Sequence, residues 1–321
     1  MEPMVEHGLV WLDGALTAPA LLGGKGASLS RLATLGPAVP AAVALTTAVY
    51  HEALESRSAP NVGRASDVEI AAFRHAIIDG ALSDRLRSAI RASFSALKDR
   101  TDSELSLAVR SSATAEDSAE HSFAGLHDTI LGVRDLPSLE AAVRRCWASL
   151  WTDRAVAYRR ERGVTDVSIA VVVQQMVRTD VSLVAFTADP VSGRLDRTIV
   201  NATWGLGEAL VSGLVTPDHI VADHSGAVLD YQPGEKTTMV IAADQGTRIV
   251  GVPRALQRMP VLSAEQVARV VEVAQLVSAG LGFPVDIEAG FAGGELFLFQ
   301  ARPITTLGAF GVETETVAAV A

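Results

Sequence analysis

Apolar residues along this chain alternate between helical and strand spacing, and the switches between them mark most of the elements. In LLGGKGASLSRLATLGPAVP (21–40), Leu29, Leu32 and Leu35 recur at helical intervals after a glycine turn. Gly36 takes the place of a C′ glycine and Pro40 lies beyond it, so a helix is predicted that ends near Leu35. AAVALTT (41–47) reads as a strand, and the alanine-rich stretch 67–99 has helical spacing. ELSLAVRSSA (104–113) alternates as a strand and runs into a polar loop. One long helix is expected from an N-cap at Ser138 to about Arg162, stopped by Gly163. SIAVVVQQMV (168–177) is rich in β-branched residues and predicts a buried strand.

A second unit is expected from about residue 180. LVAFTADP (183–190) and RTIVNATWG (197–205) predict strands entering loops, and GLGEALVSG (205–213) a short glycine-bounded helix. SAEQVARVVEVAQLVSAG (263–280) opens with a Ser-x-x-Gln capping box and sets Val267, Val270, Val271 and Ala274 on one face. PVDIEAGFAGGELFLFQARPIT (284–305) predicts two strands joined around Gly293–Gly294. The stretch that follows has no strong pattern and reads as a tail. The expected organisation is therefore an N-terminal lobe over 1–180, a C-terminal lobe over 181–306 and a tail over 307–321. With helices and strands mixed in both, the expected fold class is α+β, two lobes with a cleft between them.

Charge and composition narrow the function. The 321 residues carry a formal net charge of −10, which argues against general affinity for nucleic acid or an anionic membrane. A single cysteine, Cys146, allows no internal disulfide and fits a reducing compartment. MEPMVEHGLVWLDG lacks a basic n-region, and no apolar run approaches the ~20 residues of a membrane span. A soluble, cytoplasmic protein is expected.

Candidate chemistry concentrates in four places. If the C-terminal hairpin turns on three residues, Ala292–Gly293–Gly294, Glu288 lies opposite Leu298 and Asp286 opposite Gln300. Glu288, Leu298, Gln300 and Arg302 then share a face. A carboxylate, an amide oxygen and a guanidinium so placed suit a Mg²⁺–phosphate complex, although the hairpin alone favours a strand end closed by a salt bridge. A two-residue loop would turn Glu288 to the other face. GGKGAS (23–28) can offer backbone N–H groups and Lys25 to an anion, although it lacks the Walker A spacing; it also fits a plain glycine turn. VRSSATAEDSAEHSFAGLHDT (109–129) delivers Arg110 at a strand end into small hydroxyls and a glycine, a composition able to wrap phosphates. Gln174 in VQQMV can read an adenine edge or act as a ladder partner. The seven histidines show no metal spacing.

Together these stretches resemble the ATP-binding domain of the phosphoenolpyruvate synthase and pyruvate phosphate dikinase family, an ATP-grasp fold shared by rifampin phosphotransferases. The matching motifs are LGGKGASLSRL, VPAAVALTT, AVRSSATAEDSAEHSFAGLHDTILGV, AFTADPVSG, NATWGLGEALVSGLVTPD and DIEAGFAGGELFLFQARPIT, in family order from about residue 15 to 306. The resemblance implies a nucleotide in the cleft between the lobes. It implies that Lys25 and Arg110 contact ATP phosphates, that Gly125 and Thr129 belong to a phosphate-covering loop, and that Gln174 lines the adenine pocket. Glu288 and Gln300 would hold Mg²⁺, and Arg302 would assist phosphoryl transfer. Ser182–Leu183 and Phe299 depart from the family pattern, at a turn and at a core position.

Family members usually continue into a swivelling domain whose histidine receives the phosphoryl group, and then into an acceptor-binding domain. No Thr/Ser-Ser/Cys-His-Ala motif occurs here, and sixteen residues follow Thr305. The expectation is an ATP- and Mg²⁺-dependent phosphotransferase subunit or domain that forms AMP. Its partners would be a separate phosphohistidine swivel-domain protein and an acceptor-binding subunit. A self-contained small-molecule kinase and a nucleotide-binding regulator without turnover are the alternatives.

Overall fold

The structure, a computed structural model, describes residues 8–55, 57–101, 104–114 and 129–310. The chain divides into two compact units. One takes residues up to Arg31 together with Ala41–Met176, the other Leu32–Pro40 together with residues from Val177 onward. Both mix helices with antiparallel sheets. Among the described residues no helix is long and apolar enough to cross a membrane.

In the first unit, β1 (Leu9–Trp11), β2 (Ala42–Leu45), β3 (Leu107–Ala113), β4 (Thr129–Val133) and β5 (Ile169–Gln175) form one sheet in the order β1-β2-β5-β3-β4. Alternation decides its two faces. Val43, Leu45, Leu107, Val109, Ile169, Val171 and Val173 enter the main hydrophobic core. That core also takes buried residues of helices α2 (Thr47–Leu54), α3 (Asp67–Asp79), α4 (Asp84–Lys98) and α5 (Leu136–Ala148). The other face receives α1 (Pro19–Leu32), which is kinked at Gly23.

The single long helix expected over 138–162 is two helices. α5 is capped by Asp135, whose side chain accepts from the Ser138 N–H at 2.8 Å, so Ser138 is the third helical residue and not the cap. After a tight turn at Ser149–Trp151, α6 (Asp153–Arg162) starts afresh with Thr152 as its cap and ends at left-handed Gly163. The break has a packing cause. It drives Trp151 into the core, edge-on to Phe73 with 4.6 Å between ring centroids, and lets its indole N–H donate to the Tyr50 hydroxyl at 3.0 Å.

The second unit is built on a six-stranded sheet, all antiparallel. It comprises β6 (Val181–Phe186), β7 (Arg197–Trp204), β8 (Asp218–Asp223) and β9 (Val228–Gln232), with β12 (Val285–Ala292) and β13 (Glu295–Pro303) closing it in the order β13-β12-β6-β7-β8-β9. The one-turn helix α7 (Glu208–Val211) follows β7. A separate hairpin of β10 (Thr238–Ala242) and β11 (Thr247–Gly251) is joined to the end of β7 by the Leu206 N–H donating to the Val240 carbonyl at 2.8 Å. α8 (Ala264–Leu281) forms the expected Ser263/Gln266 capping box and packs Val267, Val270, Val271 and Ala274 beneath the sheet. The segment read as a tail begins inside the packed body, because Leu307 is fully buried with Ile304 and Ala188.

One buried charge pair organises the side of this unit that sequence patterning left blank. Asp218 and Lys236 are ion-paired with both side chains fully buried. Asp218 also accepts from the Gly234 N–H (2.9 Å), the Val261 N–H (2.8 Å) and the Tyr231 hydroxyl (2.8 Å). Burial, reinforced by the adjacent carboxylate, pushes the Tyr231 hydroxyl well above its usual pKa. One carboxylate thus ties β8, the end of β9, the base of the β10–β11 hairpin and the approach to α8. Lys236→Met leaves an uncompensated buried carboxylate and is expected to lower stability by about 3–5 kcal/mol, read from the urea midpoint at constant slope.

Candidate functional site

The C-terminal hairpin is tighter than expected. Ala292 pairs with Glu295, so the loop is the two residues Gly293–Gly294, both at positive φ (57° and 85°) as a type I′ turn requires. The three-residue loop and the pairing of Glu288 with Leu298 are therefore corrected. A bulge between Glu288 and Ala289 restores the parity that the shorter loop would have cost. Phe299 is the extra residue on β13, and beyond it Glu288 faces Gln300 and Asp286 faces Arg302. Leu298 pairs with Ala289 and is buried on the core face. Asp286, Glu288, Gln300 and Arg302 share the opposite face.

Within this quartet, Arg302 is held in an ion pair. Its Nε and Nη2 both reach Asp286 Oδ2, at 2.8 and 2.7 Å. Gln300 is buried and Glu288 half-buried. Opposed residues on antiparallel strands carry Cβ atoms about 5 Å apart, close enough for the Glu288 carboxylate and the Gln300 amide oxygen to share one hard cation. That donor set suits Mg²⁺, which takes few protein ligands and completes its shell with waters and phosphate oxygens. Among the described residues no group of three or more His, Cys, Asp or Glu side chains gathers as a metal site, so most ligands of such an ion would come from substrate and solvent.

In the first unit the structure brings several predicted residues onto one face. Arg110 on β3 lies opposite Thr129 on β4 and Val172 on β5. Gln174, two residues along β5 from Val172, is opposite Ala108 and Ala42. Arg110 and Gln174 are both buried, Thr129 is exposed, and all three point away from the core that takes Val109 and Val173. Gly125 lies outside the described residues. Lys25 sits half-buried in the first turn after the Gly23 kink.

Ser112, which sequence reasoning passed over, fixes that turn. Its hydroxyl donates to the Leu22 carbonyl at 2.7 Å and accepts from the Gly26 N–H at 3.0 Å. Gly23 has φ 68° and ψ 176°, and a Cβ there would collide with the Ser112 carbonyl. Lys25 is thereby tied through backbone to the strand that carries Arg110. The signal for Ser112 was its parity, two residues after Arg110 on a strand. The signal for Asp286 was the same, two residues before Glu288.

The family model for the pyruvate phosphate dikinase AMP/ATP-binding domain matches residues 19–318. This chain belongs to that family. Similar proteins include a rifampicin phosphotransferase of Streptomyces sviceus, 40% identical over 90% of the chain, and a probable phosphoenolpyruvate synthase of Methanothermobacter thermautotrophicus, 38% identical over 92%. A prodigiosin synthesizing transferase, PigC, of Serratia marcescens is 37% identical over 93%. The chain spans 34%, 45% and 33% of the lengths of these three relatives. Both candidate faces lie inside the stretch matched by the family model.

Ser112→Ala removes both bonds that pin the glycine turn and leaves a buried Gly26 N–H without its acceptor. The expected loss is about 1–3 kcal/mol, measured by urea unfolding.

Proposed function

We propose that this chain is the ATP-using part of a phosphotransferase of the dikinase type, an ATP-grasp fold in which residues of both units hold one MgATP. The observation that carries the reading is the Glu288–Gln300 pair beside the Asp286–Arg302 ion pair, on one face of β12 and β13. This is a hard-oxygen pair next to a guanidinium oriented by a carboxylate, inside a matched AMP/ATP-binding domain.

In this reading Lys25 and Arg110 bind phosphate oxygens, Thr129 and Gly125 close over them, and the buried Gln174 amide reads the adenine edge. Glu288 and Gln300 hold Mg²⁺, which when bound neutralises phosphate charge. Arg302 contacts the transferring phosphoryl group, and Asp286 fixes the plane of its guanidinium. The residues act by positioning and by stabilising charge, as phosphoryl transfer requires. The bond between the α and β phosphates breaks and AMP departs, while the β phosphorus forms a bond to a histidine nitrogen on a separate protein or a further domain, carrying the γ phosphate with it. Water then takes the γ phosphate as orthophosphate and leaves one phosphoryl group on the histidine. An acceptor-binding partner then takes the phosphoryl group from that histidine. A reducing cytoplasm is the compartment proposed for this chemistry.

Titration calorimetry tests the donor half directly. Wild-type chain should bind ATP in a Mg²⁺-dependent manner, and Glu288→Ala should abolish the dependence on Mg²⁺. Arg302→Ala should weaken MgATP binding by roughly tenfold, about 1.4 kcal/mol, and abolish AMP formation in the presence of a histidine-bearing partner. AMP formation retained in either variant would refute these roles. Turnover onto a small acceptor without any histidine-bearing partner would replace the relay with a self-contained kinase.

A further inference from the structure

The face that carries Glu288 and Gln300 continues across the sheet. In register it runs Gln300, Glu288, Val184, Asn201, His219 over β13, β12, β6, β7 and β8. Asn201 and His219 are both half-buried, and the Asn201 amide oxygen accepts from His219 Nδ1 at 3.0 Å. An amide oxygen only accepts, so His219 carries its proton on Nδ1. With Oδ1 engaged, the Nδ2 amino group becomes the donating end of Asn201. Among the described residues that side chain makes no other hydrogen bond.

We infer that Asn201 is a further ligand for the terminal phosphates of the nucleotide, with His219 as the positioning residue that turns its amino group outward. The inference rests on the proposed MgATP reading. β13 is the outermost strand, so a polyphosphate that extends past the Glu288–Gln300 pair and stays over the sheet passes above β6 and β7. Strands lie about 4.8 Å apart, which sets Asn201 roughly 10 Å from Glu288 along the sheet. Were a phosphate oxygen held by a cation at Glu288, a chain running across the sheet in this direction would bring its far oxygens over Val184, within reach of the next polar side chain. That side chain is Asn201, whose amino group is a neutral donor suited to a phosphate oxygen.

The test compares MgATP with AMP, which lacks the terminal phosphates. Asn201→Asp keeps the size and the contact to His219 but places a carboxylate where the donor was. It should raise the Kd for MgATP by about tenfold or more and leave the Kd for AMP within about twofold. Asn201→Ala should show the same split with a smaller rise, and so should His219→Phe, which keeps a ring but loses the Nδ1 donor. A purely structural role would weaken both nucleotides alike, and that result would overturn the inference. Wild-type affinity for MgATP in both Asn201 variants would overturn it too, and would leave the proposed function standing if Glu288→Ala still abolished the Mg²⁺ dependence. If the wild-type chain bound neither nucleotide, the proposed function and this inference would fall together.

Discussion

Side chains on a strand alternate between two faces, and the placement of the polar quartet of the second unit depends on where that alternation is interrupted. α8 claims one face of the six-stranded sheet with a stripe of valines, which leaves a single face for anything polar. Glu288 is on that face by its place in β12. Gln300 and Arg302 reach it because Phe299 adds one residue to β13 between the turn and the site. The two-residue glycine turn and the bulge are therefore one device. Either alone would send the amide and the guanidinium into the hydrophobic core, where burial of an unpaired charge is prohibitive.

The first unit reaches a similar result by different means. Helices α2 to α5 take one face of the five-stranded sheet, so Arg110 and Gln174 emerge on the other among Ala42, Ala44, Ala108 and Ala170. These small residues and Gly26 let α1 lie close to the strands; a Cβ added at Gly26 would stand 3.6 Å from Val172. Ser112 then locks the turn before Lys25. Small side chains in this region set distances more than they make contacts.

The parts legible in the sequence were those whose signals are local. The capping box of α8, the glycine turn ahead of Lys25 and the paired strands around Gly293–Gly294 all follow from residues within a few positions of one another, and the family expected from the ordered motifs is the family found. What stayed hidden depends on distant partners. No local pattern shows that Asp218 anchors Lys236, Tyr231 and Val261. The loop length of the hairpin was misread because Ala292 suits a turn as well as a strand end, and a bulge has no composition of its own. The helix break at Ser149–Trp151 was missed because Trp151 satisfies helical spacing, and only its contacts with Phe73 and Tyr50 reveal the turn.

The nine residues Leu32–Pro40 belong to the second unit although the chain on either side of them belongs to the first. They supply Leu35, which packs where Gly280 leaves room, and the Ala38 carbonyl, which takes the Leu298 N–H at 2.9 Å on the outer edge of β13. The backbone therefore passes between the units three times, at 31/32, 40/41 and 176/177. A gene cut at the third junction would not yield two whole halves. The downstream fragment would lack the strip that covers its outer strand, and the upstream one would carry that strip with nothing to cover. Recombination that shuffles this module among longer enzymes must therefore move it as a single inheritance, with both units and the loop between α1 and β2 together.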